Sequence, residues 1–177
     1  MAVAKKAPRR RAPRRKEPPR PRVRMRVNGQ PAEGECSAHT TLLYFLRDQG
    51  FTEVKNGCEM GDCGACVVML DGVAVNACMV LALQAEGREV MTVKGLGTAD
   101  HLHPLQRNFI DLGAIQCGFC TPGILISARA LLDKVPNPTR EDIKAGIAGN
   151  LCRCTGYVKI IDAIEATSRE LQAARKR

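Results

Sequence analysis

Aromatic side chains are scarce in this chain of 177 residues, which has no tryptophan, two tyrosines and four phenylalanines. So few rings argue against a surface that stacks the bases of a single-stranded nucleic acid. Long apolar runs are also missing. The longest stretch without a charged side chain, residues 112–128, contains three glycines and a proline. Because about 18–20 apolar residues are needed to cross a bilayer, no membrane-spanning helix is predicted.

Acidic residues are nearly absent from residues 1–22, which hold ten of the 27 basic residues, five of the ten prolines and one acid. Residues 23–177 carry both signs in equal number, so the net charge of +9 belongs to the N-terminus. Such a composition cannot bury an apolar core, and it predicts a disordered, basic, proline-rich tail over residues 1–21. No apolar segment follows the basic residues, so a cytoplasmic protein is predicted rather than a secreted one.

The rest of the chain has two halves of different character. Residues 22–97 show alternating strand patterns, the hairpin turn Asn28-Gly29 and one short apolar helix stripe, which together predict a mixed sheet with a helix. Residues 98–177 contain four segments with helical periodicity, at 104–112, 122–132, 139–148 and 158–174. The sequence therefore predicts an α+β chain of two domains, divided within a glycine-rich connection.

Nine cysteines are too few for a typical disulfide scaffold, and their grouping is typical of metal binding in a reducing compartment. Cys36 stands alone. The other eight form two sets of four, which we call the first set (Cys58, Cys63, Cys66 and Cys78) and the second set (Cys117, Cys120, Cys152 and Cys154).

The first set has the spacing C-x4-C-x2-C followed by a distant fourth cysteine, which is the spacing of plant-type 2Fe–2S ferredoxins. Gly57, Gly61 and Gly64 let the loop fold back so that three thiolates converge. The alternative is a structural zinc site, although zinc usually takes pairs of ligands two to four residues apart.

The second set, C-x2-C with C-x-C, fits either iron–sulfur or zinc by itself. Beside a ferredoxin-type loop, the spacing favours a second cluster and a short electron relay.

Three motifs, CEMGDCGAC at 58–66, QCGFCTPG at 116–123 and NLCRCTGY at 150–157, resemble those of one family. This family is the small 2Fe–2S subunit of molybdenum hydroxylases, which include xanthine dehydrogenases, aldehyde oxidoreductases and aerobic carbon monoxide dehydrogenases. The resemblance covers about residues 22–172. It implies a β-grasp ferredoxin-like domain that binds the distal cluster through the first set. It also implies a four-helix-bundle domain that binds the proximal cluster through the second set.

The resemblance further implies that electrons pass from molybdopterin on a large subunit, through both clusters, to FAD on a medium subunit. Gln116 and Cys154 match the family residues nearest the pterin, and the catalytic residues are expected on a partner subunit. The expected assembly is a dimer of heterotrimers.

Other functions remain open at this point. Residues 137–164 also resemble small subunits of reductases that dehydroxylate aromatic acyl-CoA thioesters, which would reverse the net direction of electron flow. A free-standing ferredoxin-like carrier is another alternative. A zinc module that uses the basic tail to bind nucleic acid would belong to a different class.

Overall fold

The computed structural model describes residues 19–176, and residues 1–18 of the predicted basic tail lie outside this range. The described range contains five strands, β1 Arg22–Val27, β2 Gln30–Glu35, β3 Val67–Leu70, β4 Val73–Asn76 and β5 Glu89–Met91. It also contains five α-helices, α1 Leu42–Asp48, α2 Pro104–Asp111, α3 Thr121–Lys134, α4 Arg140–Gly146 and α5 Val158–Arg175. None of these helices combines the length and the apolar character that a membrane span requires.

The strands form one mixed sheet in the order β2-β1-β5-β3-β4, in which only β1 and β5 run parallel. Strand β1 buries Val23, Met25 and Val27 and exposes its arginines, as the alternation predicts. The turn at Asn28 and Gly29, both with positive φ, returns the chain into β2. Helix α1 buries its apolar stripe in the same core.

The helices α2 to α5 share a second apolar core, built around Phe109, Ile124, Ile143, Ile160 and Ile164. Helix α3 begins at Thr121 with Pro122 in its first turn, and the side chains of Thr139 and Asp142 cap α4 reciprocally. Helix α3 also contacts β3 and β4, so it connects the helical core to the sheet.

The predicted glycine-rich connection, residues 94–100, and the residue before it contribute to packing rather than only joining the halves. Val93 and Leu96 pack against the helical core, and the 3-10 turn Val93–Gly95 contacts α3. The second core therefore begins before residue 97, where the sequence pattern shows no periodicity.

Candidate metal centres

The first cysteine set lies in one loop and in the turn that follows the β3–β4 hairpin. Cys58, Cys63 and Cys66 come from the loop between α1 and β3, and Cys78 lies in the 3-10 turn Ala77–Met79. The hairpin returns the chain, so the Ala77 N–H donates to the carbonyl of Cys66 at 3.3 Å. The sheet register therefore brings the fourth cysteine beside the third.

The loop around Cys58 has a tightly turned backbone. Gly61 and Gly64 have positive φ, and a Cβ on Gly57 would lie 2.7 Å from the Cys63 sulfur. Glu59 also has a positive φ, of 58°, which is unfavourable for a residue with a side chain. Its Oε1 accepts hydrogen bonds of 2.7 Å from the Tyr44 hydroxyl and from the Asn56 amide. These two contacts, which the sequence pattern did not reveal, hold the loop in its turned form.

The environments of the first-set thiols differ. The backbone N–H groups of Met60 and Cys63 each lie 3.4 Å from the Cys58 sulfur, and they lower its pKa to about 7. Cys66 is 3% exposed, and burial raises its pKa to about 12. A thiolate at Cys66 therefore needs a positive charge beside it, which a coordinating metal supplies.

The second set is held by the helical half. Cys120 directly precedes α3, and Cys152 and Cys154 lie in the turn between α4 and α5. The sulfurs of Cys117 and Cys154 are 3.6 Å apart, and both residues are exposed. Cys120 and Cys152 are half-buried, and burial raises the pKa of Cys120 to about 12. One side of this set therefore faces the surface and the other faces the core.

Within each set the thiols meet in pairs. Side-chain contacts join Cys58 to Cys63, Cys66 to Cys78, Cys117 to Cys154, and Cys120 to Cys152. In the range 19–176, no three His, Cys, Asp or Glu side chains are grouped so that they could hold a metal ion. Two separate pairs suit a binuclear cluster, which takes two protein ligands on each iron. The donor chemistry of both sets thus fits 2Fe–2S clusters.

Two further residues that the sequence singles out are Gln116 and Cys36. Gln116 is exposed beside Cys117, and its side chain makes no hydrogen bond to any other described residue. Exposed apolar side chains flank the second set, namely Ile115, Phe119 and Leu151. Cys36 is buried immediately after β2 and belongs to neither set. The second set therefore opens onto a surface of mixed polar and apolar character.

Comparisons with known proteins agree with this geometry. Residues 25–93 match the family described as "2Fe-2S iron-sulfur cluster binding domain", and residues 92–165 match "[2Fe-2S] binding domain". The nicotinate dehydrogenase small FeS subunit of Eubacterium barkeri is 44% identical over 80% of this chain and 91% of its own length. The xanthine dehydrogenase iron-sulfur-binding subunit of Escherichia coli O157:H7 is 43% identical over 78% of this chain and 88% of its own length. The chain belongs to the family of iron–sulfur subunits of molybdenum hydroxylases.

A solved structure supports the same assignment for the fold. Quinoline 2-oxidoreductase from Pseudomonas putida 86 contains a chain that is 40% identical, with a TM-score of 0.83. The match covers 88% of this chain and 98% of that chain. The role of this molybdenum-hydroxylase subunit is electron transfer, and the catalytic site of the oxidoreductase lies on another subunit.

Proposed function

We propose that this subunit relays single electrons between molybdopterin on a large subunit and FAD on a medium subunit. One observation carries the proposal: a single chain carries two sets of four cysteines whose thiols meet in pairs, and the second set is open to the surface at Cys117 and Cys154. A relay needs both features, because its carriers must be close together and one of them must be reachable by a partner cofactor.

The proposed ligands follow the thiol pairs. The first set would hold the distal cluster, and the second set would hold the proximal cluster. When bound, a 2Fe–2S cluster accepts and gives up one electron at a time. The protein contributes N–H groups that face the Cys58 sulfur and burial around Cys66, both of which influence the reduction potential.

Gln116 and Cys154 are proposed to face the pterin of the large subunit. The exposed amide of Gln116 can both donate and accept hydrogen bonds, as the edge of a pterin requires. Its position next to the exposed Cys117 and Cys154 pair supports the proposal, since this is the side of the second set that a partner can approach.

The organisation of the whole chain is proposed on the same basis. The helical half, residues 98–177, is proposed to be a four-helix bundle beside a β-grasp domain over 22–97, which the two separate apolar cores support. The complex is proposed to be a dimer of heterotrimers. A cytoplasmic location is proposed because a reducing compartment keeps grouped cysteines free to bind iron.

We expect the purified subunit to contain about four irons and about four acid-labile sulfides per chain, because each set of four thiolates fits one 2Fe–2S cluster. Metal and sulfide analysis, together with electron paramagnetic resonance of the reduced protein, should show two distinct signals. Stoichiometric zinc without sulfide would contradict the proposal.

We expect Gln116→Leu to slow the reduction of the clusters by substrate, while their reduction by dithionite keeps the rate of the parent. The leucine removes a polar contact to the pterin and leaves its partner unpaired, which costs about 1–3 kcal/mol. Stopped-flow spectroscopy of the assembled complex measures both rates.

Gln30→Leu is the matched control, because Gln30 is also an exposed glutamine but lies in β2, in the sheet half of the chain. Both variants should retain full iron content. Equal substrate-driven rates for Gln116→Leu and the parent would show that Gln116 does not contribute to the transfer.

A further inference from the structure

The loops that carry the two thiol sets contact each other through backbone groups. The N–H of Leu151 donates to the carbonyl oxygen of Cys63 at 2.9 Å. Leu151 directly precedes Cys152, so a residue of the first set and the neighbour of a residue of the second are joined by a hydrogen bond. Electronic coupling decays less steeply along covalent and hydrogen bonds than across empty space. This contact therefore provides a short route between the two sites.

A buried amide fastens the two loops together at this point. Asn150 is 3% exposed, and its Nδ2 donates to the carbonyl oxygen of Gly64 at 3.0 Å. The backbone carbonyl oxygen of Asn150 accepts a hydrogen bond from the Tyr157 hydroxyl at 3.1 Å. The same hydroxyl accepts a hydrogen bond from the Cys152 N–H at 2.7 Å. Asn150 thus contacts the first loop through its side chain and the second loop through its backbone.

Glycines allow the close approach that these hydrogen bonds need. A Cβ on Gly64 would overlap the carbonyl oxygen of Gly149 and the Asn150 side chain. A Cβ on Gly123, in the first turn of α3, would overlap the carbonyl oxygen of Gly64. The backbone of the first loop therefore packs directly against α3 and against the turn at residues 149–151.

We propose that Asn150 is a positioning residue for electron transfer between the two clusters, a role that rests on the proposed function. Its amide holds Gly64, and thereby Cys63, against the segment that leads into Cys152. The hydrogen bond from Leu151 to Cys63 then stays closed, and the distance between the clusters stays fixed. Without the amide, the two loops separate, although each keeps its own four thiols.

The test uses the assembled complex with all clusters reduced, in which two neighbouring paramagnetic clusters split each other's resonance signals. Asn150→Ala should lose this splitting while retaining the iron content and both individual signals. Asn108→Ala is the matched control, because Asn108 also donates from Nδ2, to Thr167 and Glu170, within the helical half. Asn108→Ala should keep the splitting, because Asn108 does not contact the first loop. Loss of the splitting in both variants would indicate a general structural effect and overturn the inference.

A second pair of variants tests the inference even if Asn150→Ala fails to assemble a cluster. These variants change only glycines, so every polar side chain is kept. Gly123→Ala inserts a methyl group between α3 and the first loop and should also lose the splitting, although alanine favours a helix. Gly149→Ala is its control, since nothing lies within 4 Å of a Cβ at that position and its φ is not positive. Splitting at the parental strength in Gly123→Ala, with both clusters present, would overturn the inference.

The parent complex separates this inference from the proposed function. If the parent shows two cluster signals that do not split each other, the inference is overturned but the proposed function stands. If the parent does not show two separate cluster signals, the proposed function itself is overturned.

Discussion

Replacing Cys66 with serine is expected to remove the distal cluster and to leave the proximal cluster in place. Cys66 is 3% exposed, and a hydroxyl in its position does not ionise at neutral pH, so it cannot supply the thiolate that binds iron. Because cluster binding contributes to folding, the loop around Cys58 should become mobile as well. The helical core is separate from the core of the sheet, so its own four thiols should still assemble.

Iron analysis and paramagnetic resonance measure this outcome, with the iron content falling from about four to about two per chain and one of the two signals lost. Cys36→Ser is the matched control, because Cys36 is also buried in the sheet half, at 6% exposed, but lies outside both sets. Cys36→Ser should keep both clusters, because Cys36 is not a proposed ligand. Loss of both clusters in Cys66→Ser would contradict the independence of the two halves.

The sequence predicted the elements whose signals are local. The alternation in β1, the Asn28-Gly29 turn and the start of a helix at residue 139 depend on residues close in the chain, and each has the predicted structure. The spacing around Cys58 also predicted that three thiols share one loop, because a loop this short keeps its own members together. The pairing of Cys66 with Cys78 depends on the register of the β3–β4 hairpin and was not predictable from spacing.

The features that sequence reasoning missed depend on distant partners. Asn150 bonds to Gly64, 86 residues away in the chain, and its place in the motif at 150–157 does not reveal this contact. Glu59 likewise looks like a surface acid until Tyr44 and Asn56 are seen to hold its strained backbone. Leu96 lies in the predicted glycine-rich connection, where a single apolar residue shows no period, yet it packs against the helical core.

Gly64→Ala is expected to destabilise the subunit more than any other exchange of glycine for alanine that we propose. Gly64 has φ of 65°, a conformation that is less stable by about 1–2 kcal/mol for a residue with a Cβ. Its Cβ would also overlap the carbonyl oxygen of Gly149, a backbone atom that cannot rotate away. Overpacking of this kind costs about 1–3 kcal/mol more. The expected result is a loss of about 2–5 kcal/mol and a lower midpoint for the thermal loss of cluster absorbance.

Gly72→Ala separates the two contributions to this loss. Gly72 has φ of 79° in the turn between β3 and β4, and nothing lies within 4 Å of a Cβ built on it. Gly72→Ala is therefore destabilised only by the backbone conformation and not by overlap of the Cβ with a neighbour. One kcal/mol lowers the midpoint by about 2–4 °C in a chain of this size, so Gly64→Ala should melt several degrees below Gly72→Ala at the same heating rate. Equal midpoints for the two variants would show that the first loop does not need close contact with residues 149–151.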